Sequence, residues 1–424
     1  MLDIKLFRED AERVRAGMRK RDMDPAPVDE VIALDVKRRE LLQEVEELKA
    51  ERNTVSKEIG KMKDQAKRQA KIDAMGTVNA KIGKLDDELK EVDEKLRSIL
   101  AVIPNIPDEN VPKGFKEEDN VVTKQVGEIP EFDFEPKPHW ELGPALGVID
   151  FEQGVKVTGS RFYVLSGPAA RLQRALIAFM LDLHIGQGYL EKYTPFMVKE
   201  DTVFAAGQLP KFADNLYKDH EEDLYMIPTA EVPLTGIHMD EILDEESLPR
   251  QYTAYSPCFR REKMSAGRDV RGIKRGHQFD KVEMYMYTKP DDSDAAFEKM
   301  VADAEATCIE LGIPYRLILK CAGDTSEAAR ISYDIEVWAA GCQEWLEASS
   351  ISNVGDYQSR RANIRYRGQG EKKTKFLHTL NGSGLGLPRT MIAVMENNQQ
   401  ADGSILIPEV LRPWMGGIEV IVPS

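Results

Sequence analysis

The sequence has little cysteine, little histidine and no long apolar run. Its four cysteines lie far apart and form no C-x-x-C pair, which argues against a disulfide framework or a zinc finger and favours a reducing compartment. No apolar stretch approaches the roughly 20 residues that span a bilayer. The first residues, MLDIKLFRED, lack the apolar core of a signal peptide. We therefore predict a cytoplasmic protein without a membrane partner.

Positive charge is also scarce, because 73 acidic side chains outweigh 58 lysines and arginines and give a formal net charge of −15. This balance argues against a generally basic nucleic-acid-binding protein. Any contact with nucleic acid must come from a local basic patch. The length of 424 residues is sufficient for two or three domains.

The first hundred residues contain two stretches in which apolar side chains recur every seven positions. The two series are Leu34, Leu41, Leu48, Val55 and Met62, and then Met75, Ile82, Leu89, Leu96 and Ile103. Two such segments, joined by a short polar piece near residues 67–71, predict an antiparallel coiled-coil hairpin. Each helix would reach about 50 Å at 1.5 Å per residue, so we expect the hairpin to project.

Pro104 and Pro107 end the second of these helices. We place the domain boundary near residue 110. The predicted organisation is therefore a helical arm, residues 1–110, followed by a second domain, residues 111–424.

Basic side chains gather at the predicted tip of the hairpin, whereas acidic side chains dominate near its base. The candidates for contact with a phosphate backbone are Lys57, Lys61, Lys63, Lys67, Arg68 and Lys71. The alternative is an ordinary solvated helix face, which is the usual explanation of a run of charges.

The second domain has short predicted strands at close spacing and few helices between them. The predicted strands are 189–197, 223–227, 250–259, 277–287, 315–320, 332–338, 343–350 and 360–366. The clear helix between these strands is 291–311. This order is not the βαβ alternation of a Rossmann sheet. We therefore predict an α+β fold with a mostly antiparallel sheet flanked by helices.

A glycine-rich stretch near the end of the chain, residues 375–397, predicts a strand, a glycine turn and a helix. The glycines are Gly382, Gly384 and Gly386, and Pro388 and Arg389 open the helix. An arginine at a helix N-terminus suits a polyphosphate. Neither standard nucleotide motif fits, because no G-K-[ST] follows and the spacing is G-x-G-x-G. An ordinary glycine-rich turn is the alternative.

Two further segments combine residue types that suit a nucleotide. Arg260 and Glu262 would share one face of a strand, and Phe279, Lys281 and Glu283 would share one face of the next, because side chains alternate along strands. Arginine suits a phosphate, a carboxylate suits an amino group and an aromatic ring suits a purine. A surface hairpin with salt-bridged charges is the structural alternative.

These segments resemble known signature motifs. F-R-R-E at 259–262 and H-Q-F-D-K-V-E-M at 277–284 resemble the second motif of class II aminoacyl-tRNA synthetases, and G-S-G-L-G-L-P-R at 382–389 resembles the third. Pro195, after a long amphipathic helix, resembles the first. I-P-T-A-E-V-P-L-T at 227–235 and R-R-A-N-I-R-Y-R at 360–367 resemble the bacterial type of seryl-tRNA synthetase. The resemblance covers essentially the whole chain, including the N-terminal hairpin.

The resemblance implies an enzyme that attaches L-serine to tRNA(Ser). Serine and ATP first form seryl-adenylate and pyrophosphate, and the terminal ribose of the tRNA then takes the seryl group. Serine's carboxylate, with a pKa of about 3.5, is already ionised, so no catalytic base is needed. Positioning and charge stabilisation would carry catalysis. The family also implies Mg²⁺ with ATP and a homodimer, and it leaves open whether tRNA(Sec) is a second substrate.

The resemblance also implies residue roles. Arg260 and Arg389 would be the catalytic residues, Arg260 at the α-phosphate and Arg389 near the γ-phosphate. The expected ATP-binding residues are Arg260, Arg261, Glu262, Gly276, Phe279, Glu347, Ala348, Ser349, Ser350 and Arg389, of which Glu347 and Ser350 would bind Mg²⁺. The expected serine-binding residues are Thr229, Ala230, Glu231, Glu283, Asn381 and Ser383. Clusters like those of the zinc-dependent archaeal branch are absent from the sequence, so we predict no zinc.

Some positions depart from the usual family pattern. Arg261 stands where serine is common, Gly276 where a larger side chain usually flanks the adenine site, and Ala348 where isoleucine is usual. Two alternatives remain: a paralogue that passes its amino acid to a carrier protein, and a paralogue without enzymatic activity. The hairpin argues against the first alternative. The charged residues of the expected site argue against the second.

Overall fold

The computed structural model describes residues 1–263 and 271–423. The chain folds as two compact units, one spanning Leu2–Pro104 and the other formed from Asn105 onward together with Met1. Among the helices of the described residues, none combines the length and the apolar character that crossing a membrane requires.

The N-terminal unit is helical. Its helices are α1 (Ile4–Glu9), α2 (Ala11–Lys20), α3 (Pro27–Lys61) and α4 (Gln65–Val102). Cross-helix ion pairs join Glu30 near the start of α3 to Lys95 near the end of α4, and Glu58 near the end of α3 to Lys71 near the start of α4. The pairing is therefore antiparallel, and the predicted hairpin is observed.

The link between the two long helices is shorter than expected and lies earlier, at residues 62–64 rather than 67–71. Asp64 caps α4, because its carboxylate accepts hydrogen bonds from the amides of Ala66 and Lys67. The following lysines, arginine, glutamines and alanines are good helix formers, so the cap starts the helix ahead of this polar stretch.

The apolar seam of the hairpin is well buried only near its base. Val31, Leu41 and Val45 on α3 pack there with Val92 and Leu96 on α4. Toward the tip, the same heptad positions are only partly covered. The tip therefore has a weaker apolar seam than the base.

The second unit combines helices and strands. Its α-helices are α5 (His139–Ala145), α6 (Phe151–Val157), α7 (Gly167–Gly186), α8 (Glu200–Ala205), α9 (Glu231–Gly236), α10 (Ser293–Leu311), α11 (Tyr357–Arg361) and α12 (Leu387–Asn397). Its strands are β1 (Val121–Val126), β2 (Ile149–Asp150), β3 (Val164–Leu165), β4 (Leu190–Glu191), β5 (Met197–Lys199), β6 (Leu224–Met226), β7 (Ile242–Asp244), β8 (Arg250–Phe259), β9 (Gln278–Thr288), β10 (Tyr315–Leu319), β11 (Ile331–Ala339), β12 (Glu344–Gly355), β13 (Arg365–Arg367), β14 (Lys375–Phe376), β15 (His378–Gly386), β16 (Ile405–Leu406) and β17 (Val420–Ile421).

The main sheet has the strand order β1-β10-β11-β12-β15-β9-β8-β4 within the described residues. Every neighbouring pair in it is antiparallel except β4 with β8. Helices α7, α10 and α12 contribute to the large apolar core, which Val282 and Met284 of β9 join. Because side chains alternate, Lys281 and Glu283 of the same strand lie on the opposite face. The predicted α+β fold with a mostly antiparallel sheet is confirmed.

Two predicted strands were wrong. The stretch 189–197 is divided between β4 and β5, and Pro195 belongs to neither, because proline lacks the amide proton that a sheet ladder uses. The stretch 360–366 begins in α11, where Arg360 donates to the carboxylate of Asp356 one helical turn earlier at 2.7 Å. Only Arg365–Arg367 pairs as a strand.

The predicted glycine turn before α12 was also wrong, since β15 continues through the glycines to Gly386 and α12 begins at the next residue. A Cβ on Gly384 would lie 2.1 Å from Nε2 of His184 on α7. A Cβ on Gly382 would lie 3.0 Å from the side chain of Ile351. These two glycines therefore make room for neighbouring side chains of the protein.

Candidate active site

One cavity of about 290 Å³ gathers most of the expected site residues. It is lined by parts of β9, β12 and β15, by the start of α12 and by loops on both sides of the sheet edge. The expected residues in its lining are Thr229, Glu231, Arg260, Glu262, Gly276, Phe279, Glu347, Ala348, Ser349, Ser350, Asn381, Ser383 and Arg389. Ala230, Arg261 and Glu283 are not among the lining residues.

Glu283 has no exposed surface and lies beneath the lining of one end of the cavity, which we call the serine end after the role that the resemblance implies. Nζ of Lys281 lies 2.5 Å from its Oε2 and also donates to Oγ1 of Thr229 at 2.7 Å. The amide of Asn381 donates to the other carboxylate oxygen at 3.4 Å. Side chains from β9, from β15 and from the loop before α9 thus form a closed polar cluster.

Lys281 was not among the expected site residues, although it lines the cavity. Alternation along β9 places it between Phe279 and Glu283 on the cavity face. Strand alternation in the sequence already placed Lys281 on this face, but no site role was assigned to it. Its ammonium neutralises the buried charge of Glu283, which would be costly to leave unpaired.

Glu231 begins α9 beside this cluster. Its Oε1 accepts a hydrogen bond of 2.6 Å from Nε2 of Gln358. Burial and the nearby carboxylate of Glu283 raise the pKa of Glu231 to about 7, although Lys281, Gln358 and Arg260 act in the opposite direction. This carboxylate therefore lies near the point of half-ionisation at neutral pH.

Arg260 lies between the serine end and the other end of the cavity, which we call the nucleotide end, again after the role that the resemblance implies. Its amide donates to the carbonyl of His277 at 2.9 Å, and its Nε donates to the carbonyl of Pro228 at 3.2 Å. Its guanidinium carbon lies 5.1 Å from the centre of the Phe279 ring. The pairing of β8 with β9, which sets Cys258 opposite Phe279, produces this arrangement.

Glu262 reaches the cavity by a different route from the one expected. Strand β8 ends at Phe259, so strand alternation does not align Glu262 with Arg260. Glu262 instead has a φ of +50°, an unusual backbone conformation for a residue other than glycine. Its Oε2 lies 3.7 Å from Nη1 of Arg275.

Arg261 points elsewhere. Its Nε donates to the carbonyl of Leu216 at 2.9 Å, and its guanidinium carbon lies 4.8 Å from the centre of the Tyr217 ring. This position does not favour the expected contact with ATP. Ala230 is fully buried and supplies backbone rather than a cavity surface.

Arg389 and Glu347 pair at the nucleotide end. Nη1 of Arg389 donates to the carbonyl of Glu347 and lies 3.8 Å from its Oε2. Partial burial would raise the pKa of Glu347, but Arg389, Lys320, Arg275 and Arg260 outweigh it and hold that pKa below its usual value. The carboxylate is therefore ionised at neutral pH.

A β-bulge brings Glu347 and Ser350 to the same cavity. In β12, Ser349 pairs with Ile335 and Glu347 pairs with Glu336, so Ala348 is the extra residue. The bulge changes the alternation that would otherwise set positions three apart on opposite faces. A carboxylate and a hydroxyl are oxygen ligands that suit Mg²⁺. Behind them, burial and Glu347 raise the pKa of Asp334 to about 7, which adds a second acidic group.

The loop between β8 and β9 returns to the sheet along a limb, residues 271–276, that is fixed by α5. The amide of Ile273 donates to Nε2 of His139 at 3.1 Å, and Lys274 pairs with Glu344. A Cβ on Gly276 would lie 2.9 Å from the carbonyl of Gln278, which explains the glycine at that position. Sequence reasoning missed Lys274 and Arg275, which also line the cavity.

His139, Cys342 and Glu396 form a group of possible metal ligands within the described residues, with ligand atoms less than 4.8 Å apart. Nε2 of His139 accepts the Ile273 amide proton, so Nδ1 must carry the ring proton and donates it to Glu396 at 2.7 Å. The ring then offers a metal no lone pair. We therefore interpret this group as a hydrogen-bonded anchor for the loop.

The six expected tRNA-binding cations lie together at the tip of the hairpin. Lys57 and Lys61 end α3, Lys63 lies in the link, and Lys67, Arg68 and Lys71 begin α4. All are exposed except Lys71, which is half-buried and pairs with Glu58 at 2.5 Å. This is a compact basic patch on an acidic chain.

Comparison with known proteins identifies the family. The model of the seryl-tRNA synthetase N-terminal domain matches residues 1–107. The model of the tRNA synthetase class II core domain (G, H, P, S and T) matches residues 212–398.

Individual relatives match over the whole chain. The chain is 62% identical to a serine–tRNA ligase of Roseiflexus sp. (strain RS-1), with 99% of both chains covered. It is 60% identical to one of Chloroflexus aurantiacus (strain ATCC 29366 / DSM 635 / J-10-fl), with both covered completely. The crystal structure of seryl-tRNA synthetase from Pyrococcus horikoshii complexed with ATP covers 100% of both chains at 39% identity and a TM-score of 0.93. The chain belongs to the seryl-tRNA synthetase family.

Proposed function

We propose that this chain charges tRNA(Ser) with L-serine in two steps. Serine and ATP form seryl-adenylate with release of pyrophosphate, and the terminal ribose hydroxyl of the tRNA then takes the seryl group with release of AMP. The observation that carries this proposal is the junction at Arg260, which joins a buried polar end of the cavity to an arginine-rich end. A small polar amino acid and a nucleotide can meet there.

In the first step, serine's carboxylate attacks the α-phosphate. Arg260 stabilises the charge that develops on that phosphate, and Arg389 holds the outgoing pyrophosphate. Phe279 and Glu262 hold the adenine, the first by stacking and the second by accepting from its amino group. Glu347 and Ser350 would hold the Mg²⁺ that accompanies ATP, and the ion would neutralise phosphate charge. We propose that no zinc is needed.

At the serine end, Glu231 and Thr229 receive the substrate's ammonium, and Glu283 receives its hydroxyl with help from Asn381 and Ser383. Alanine is rejected because it would leave the buried Glu283 without the substrate hydroxyl.

The tip cations of the arm contact the phosphate backbone of the tRNA, which makes the second step sensitive to salt. tRNA(Sec) is a further candidate acceptor for the same arm. A homodimer is supported by apolar side chains left exposed on the second unit, such as Val157 at 78% and Tyr193 at 82%. The absence of long apolar helices in the described residues is compatible with a cytoplasmic location.

Exchange of pyrophosphate into ATP, measured separately with each amino acid, tests the proposal. Exchange with serine alone is expected. No exchange, or exchange with another amino acid, contradicts the proposed first step. Charging of tRNA(Ser) and tRNA(Sec) transcripts then tests the second step, and failure with both while exchange persists would favour transfer to a carrier protein. Sedimentation equilibrium measures whether the protein is a dimer.

A further inference from the structure

Gln358 lies on α11 with no exposed surface and uses all of its hydrogen-bonding groups. Its amide oxygen accepts from the hydroxyl of Tyr285 at 3.0 Å and from the hydroxyl of Thr379 at 2.7 Å. Its amide nitrogen donates to Oε1 of Glu231 at 2.6 Å and to the carbonyl of Ala206 at 3.0 Å. Four partners from four different segments therefore converge on one side chain.

The two hydroxyl groups fix which way the amide faces. If the amide were reversed, its NH₂ group would meet Tyr285 and Thr379, and its oxygen would meet the carboxylate of Glu231 and the carbonyl of Ala206. In the reversed orientation, the amide oxygen of Gln358 would lie less than 3.1 Å from two other acceptors, Oε1 of Glu231 and the carbonyl oxygen of Ala206, and no proton would lie between them. The donor is thus held toward Glu231 before any substrate arrives.

We propose that Gln358 is a positioning residue for serine: it holds the Glu231 carboxylate in the orientation, and in the ionised form, that receives the substrate's ammonium. This inference rests on the proposed role of Glu231 in serine binding. It adds a residue that does not line the cavity and does not touch the substrate.

The surroundings of Glu231 explain why a donor is needed. The charged groups that influence it are Glu283, which favours the neutral acid, and Lys281 and Arg260, which favour the ionised form. Burial also favours the neutral acid, and together these effects raise the pKa of Glu231 to about 7. A hydrogen bond from an amide to the carboxylate favours the ionised form. Removing it therefore raises that pKa further, so less of the protein is ionised at pH 7.

The second donor of Gln358 reaches the cavity wall. Ala206, whose carbonyl accepts it, lines the cavity together with the two residues that follow it. Gln358 therefore fixes Glu231 relative to this wall as well as relative to β15, through Thr379. Substrate orientation and carboxylate ionisation depend on the same side chain.

The test is Gln358→Met, which preserves the length of the side chain and removes its donor. At pH 7 we expect the KM for serine in pyrophosphate exchange to rise at least about tenfold, as for loss of a hydrogen bond to a charged group. The KM for ATP should change by less than about twofold. Between pH 6 and pH 8.5, the ratio of the two serine KM values should fall as pH rises, because Glu231 becomes ionised in both proteins. Titration of serine itself cancels in that ratio.

Gln399→Met is the matched control. Gln399 is also buried, and its amide accepts from the Lys137 amide at 2.7 Å and donates to the carbonyls of Lys137 and Glu396. It does not line the cavity, so this variant should lose stability without a change in the KM for serine. If Gln358→Met fails to fold, Tyr285→Phe removes one of the two hydroxyls that orient the amide and should give a smaller rise in the same direction.

An unchanged serine KM in Gln358→Met, or an equal rise in the KM values for serine and ATP, would overturn the inference. So would a variant-to-parent ratio that does not depend on pH. These outcomes are distinct from failure of the proposed function, in which the unaltered protein itself shows no serine-dependent exchange.

Discussion

The two ends of the cavity are built in different ways. At the serine end, Glu283 and Thr229 are buried and hydrogen-bonded to neighbouring side chains. At the nucleotide end, Arg389 is 18% exposed and Glu347 is 43% exposed, and the charged groups lie on a loop, a bulge and a helix N-terminus. The serine end is a preformed polar cluster, whereas the nucleotide end is a set of partly solvated charges.

This difference indicates where selectivity and binding energy originate. A buried carboxylate that loses its partner costs several times more free energy than an exposed one, so under the proposed roles the serine end rejects an amino acid that lacks the hydroxyl. Partly exposed arginines attract a triphosphate strongly but discriminate little, and salt screens them. Substitutions at the two ends should therefore affect the KM values for serine and ATP separately.

The largest effect is expected from Arg389→Ala. Loss of this guanidinium should lower the rate of pyrophosphate exchange about 10³-fold, because a donor aimed at developing charge is removed. The measurement is exchange at saturating serine and ATP, with the melting temperature as a check on folding. Arg412→Ala removes an arginine that is 36% exposed, lies outside the cavity lining and pairs with Glu419 at 3.5 Å, and it should be nearly neutral. An exchange rate within threefold of that of the unaltered protein would contradict the proposed role of Arg389.

Glu283→Gln tests the buried end with a change of charge and almost none of shape. We expect the KM for serine to rise about 100-fold, because Lys281 loses its partner and the substrate hydroxyl loses an ionised acceptor. The KM for ATP should remain nearly constant, and discrimination against alanine should weaken. Equal rises in the KM values for serine and ATP would mean that the two ends of the cavity are coupled, which would contradict the separation argued above.

A change at the hairpin tip should leave both ends intact. Replacing Lys61, Lys63, Lys67 and Arg68 with alanine should raise the KM for tRNA roughly 30-fold and reduce its salt dependence, because phosphate contacts are lost. Pyrophosphate exchange without tRNA should be unchanged. A parallel loss of exchange would show that the tip supports the cavity instead of contacting tRNA.

The parts that could be predicted from the sequence are those with local patterns. Heptad spacing located α3 and α4, and the short strand predicted at 250–259 is β8 with the same bounds. The positions of the cavity residues came from the family resemblance, and thirteen of them line one cavity. The link of the hairpin was misplaced because a single cap, Asp64, decides where α4 begins.

The residues that were missed act over long sequence separations. Gln358 meets Glu231 across 127 positions, and His139 meets Glu396 across 257. No spacing rule connects such pairs, since the fold alone brings them together. The bulge at Ala348 and the positive φ of Glu262 are likewise set by the assembled sheet and its loops. Strand alternation extended to Glu262 therefore gave the right residue for the wrong geometric reason.

His139→Ala gives the smallest effect and the finest test of the comparison. The imidazole holds the returning limb of the loop through the Ile273 amide, and that limb carries Arg275 and Gly276 to the nucleotide end only. We therefore expect the KM for ATP to rise about fivefold, as for loss of one neutral hydrogen bond, with the KM for serine unchanged.

The matched control for this variant is His238→Ala. His238 is also buried and lies 2.7 Å from a glutamate, Glu241, but it does not touch the loop. Both variants should lose stability, because each removes a buried imidazole whose two ring nitrogens are both hydrogen-bonded. Only His139→Ala should change the KM for ATP. If the two variants affect ATP binding alike, the loss reflects general destabilisation, and the nucleotide end does not depend on a buried anchor as the serine end is proposed to do.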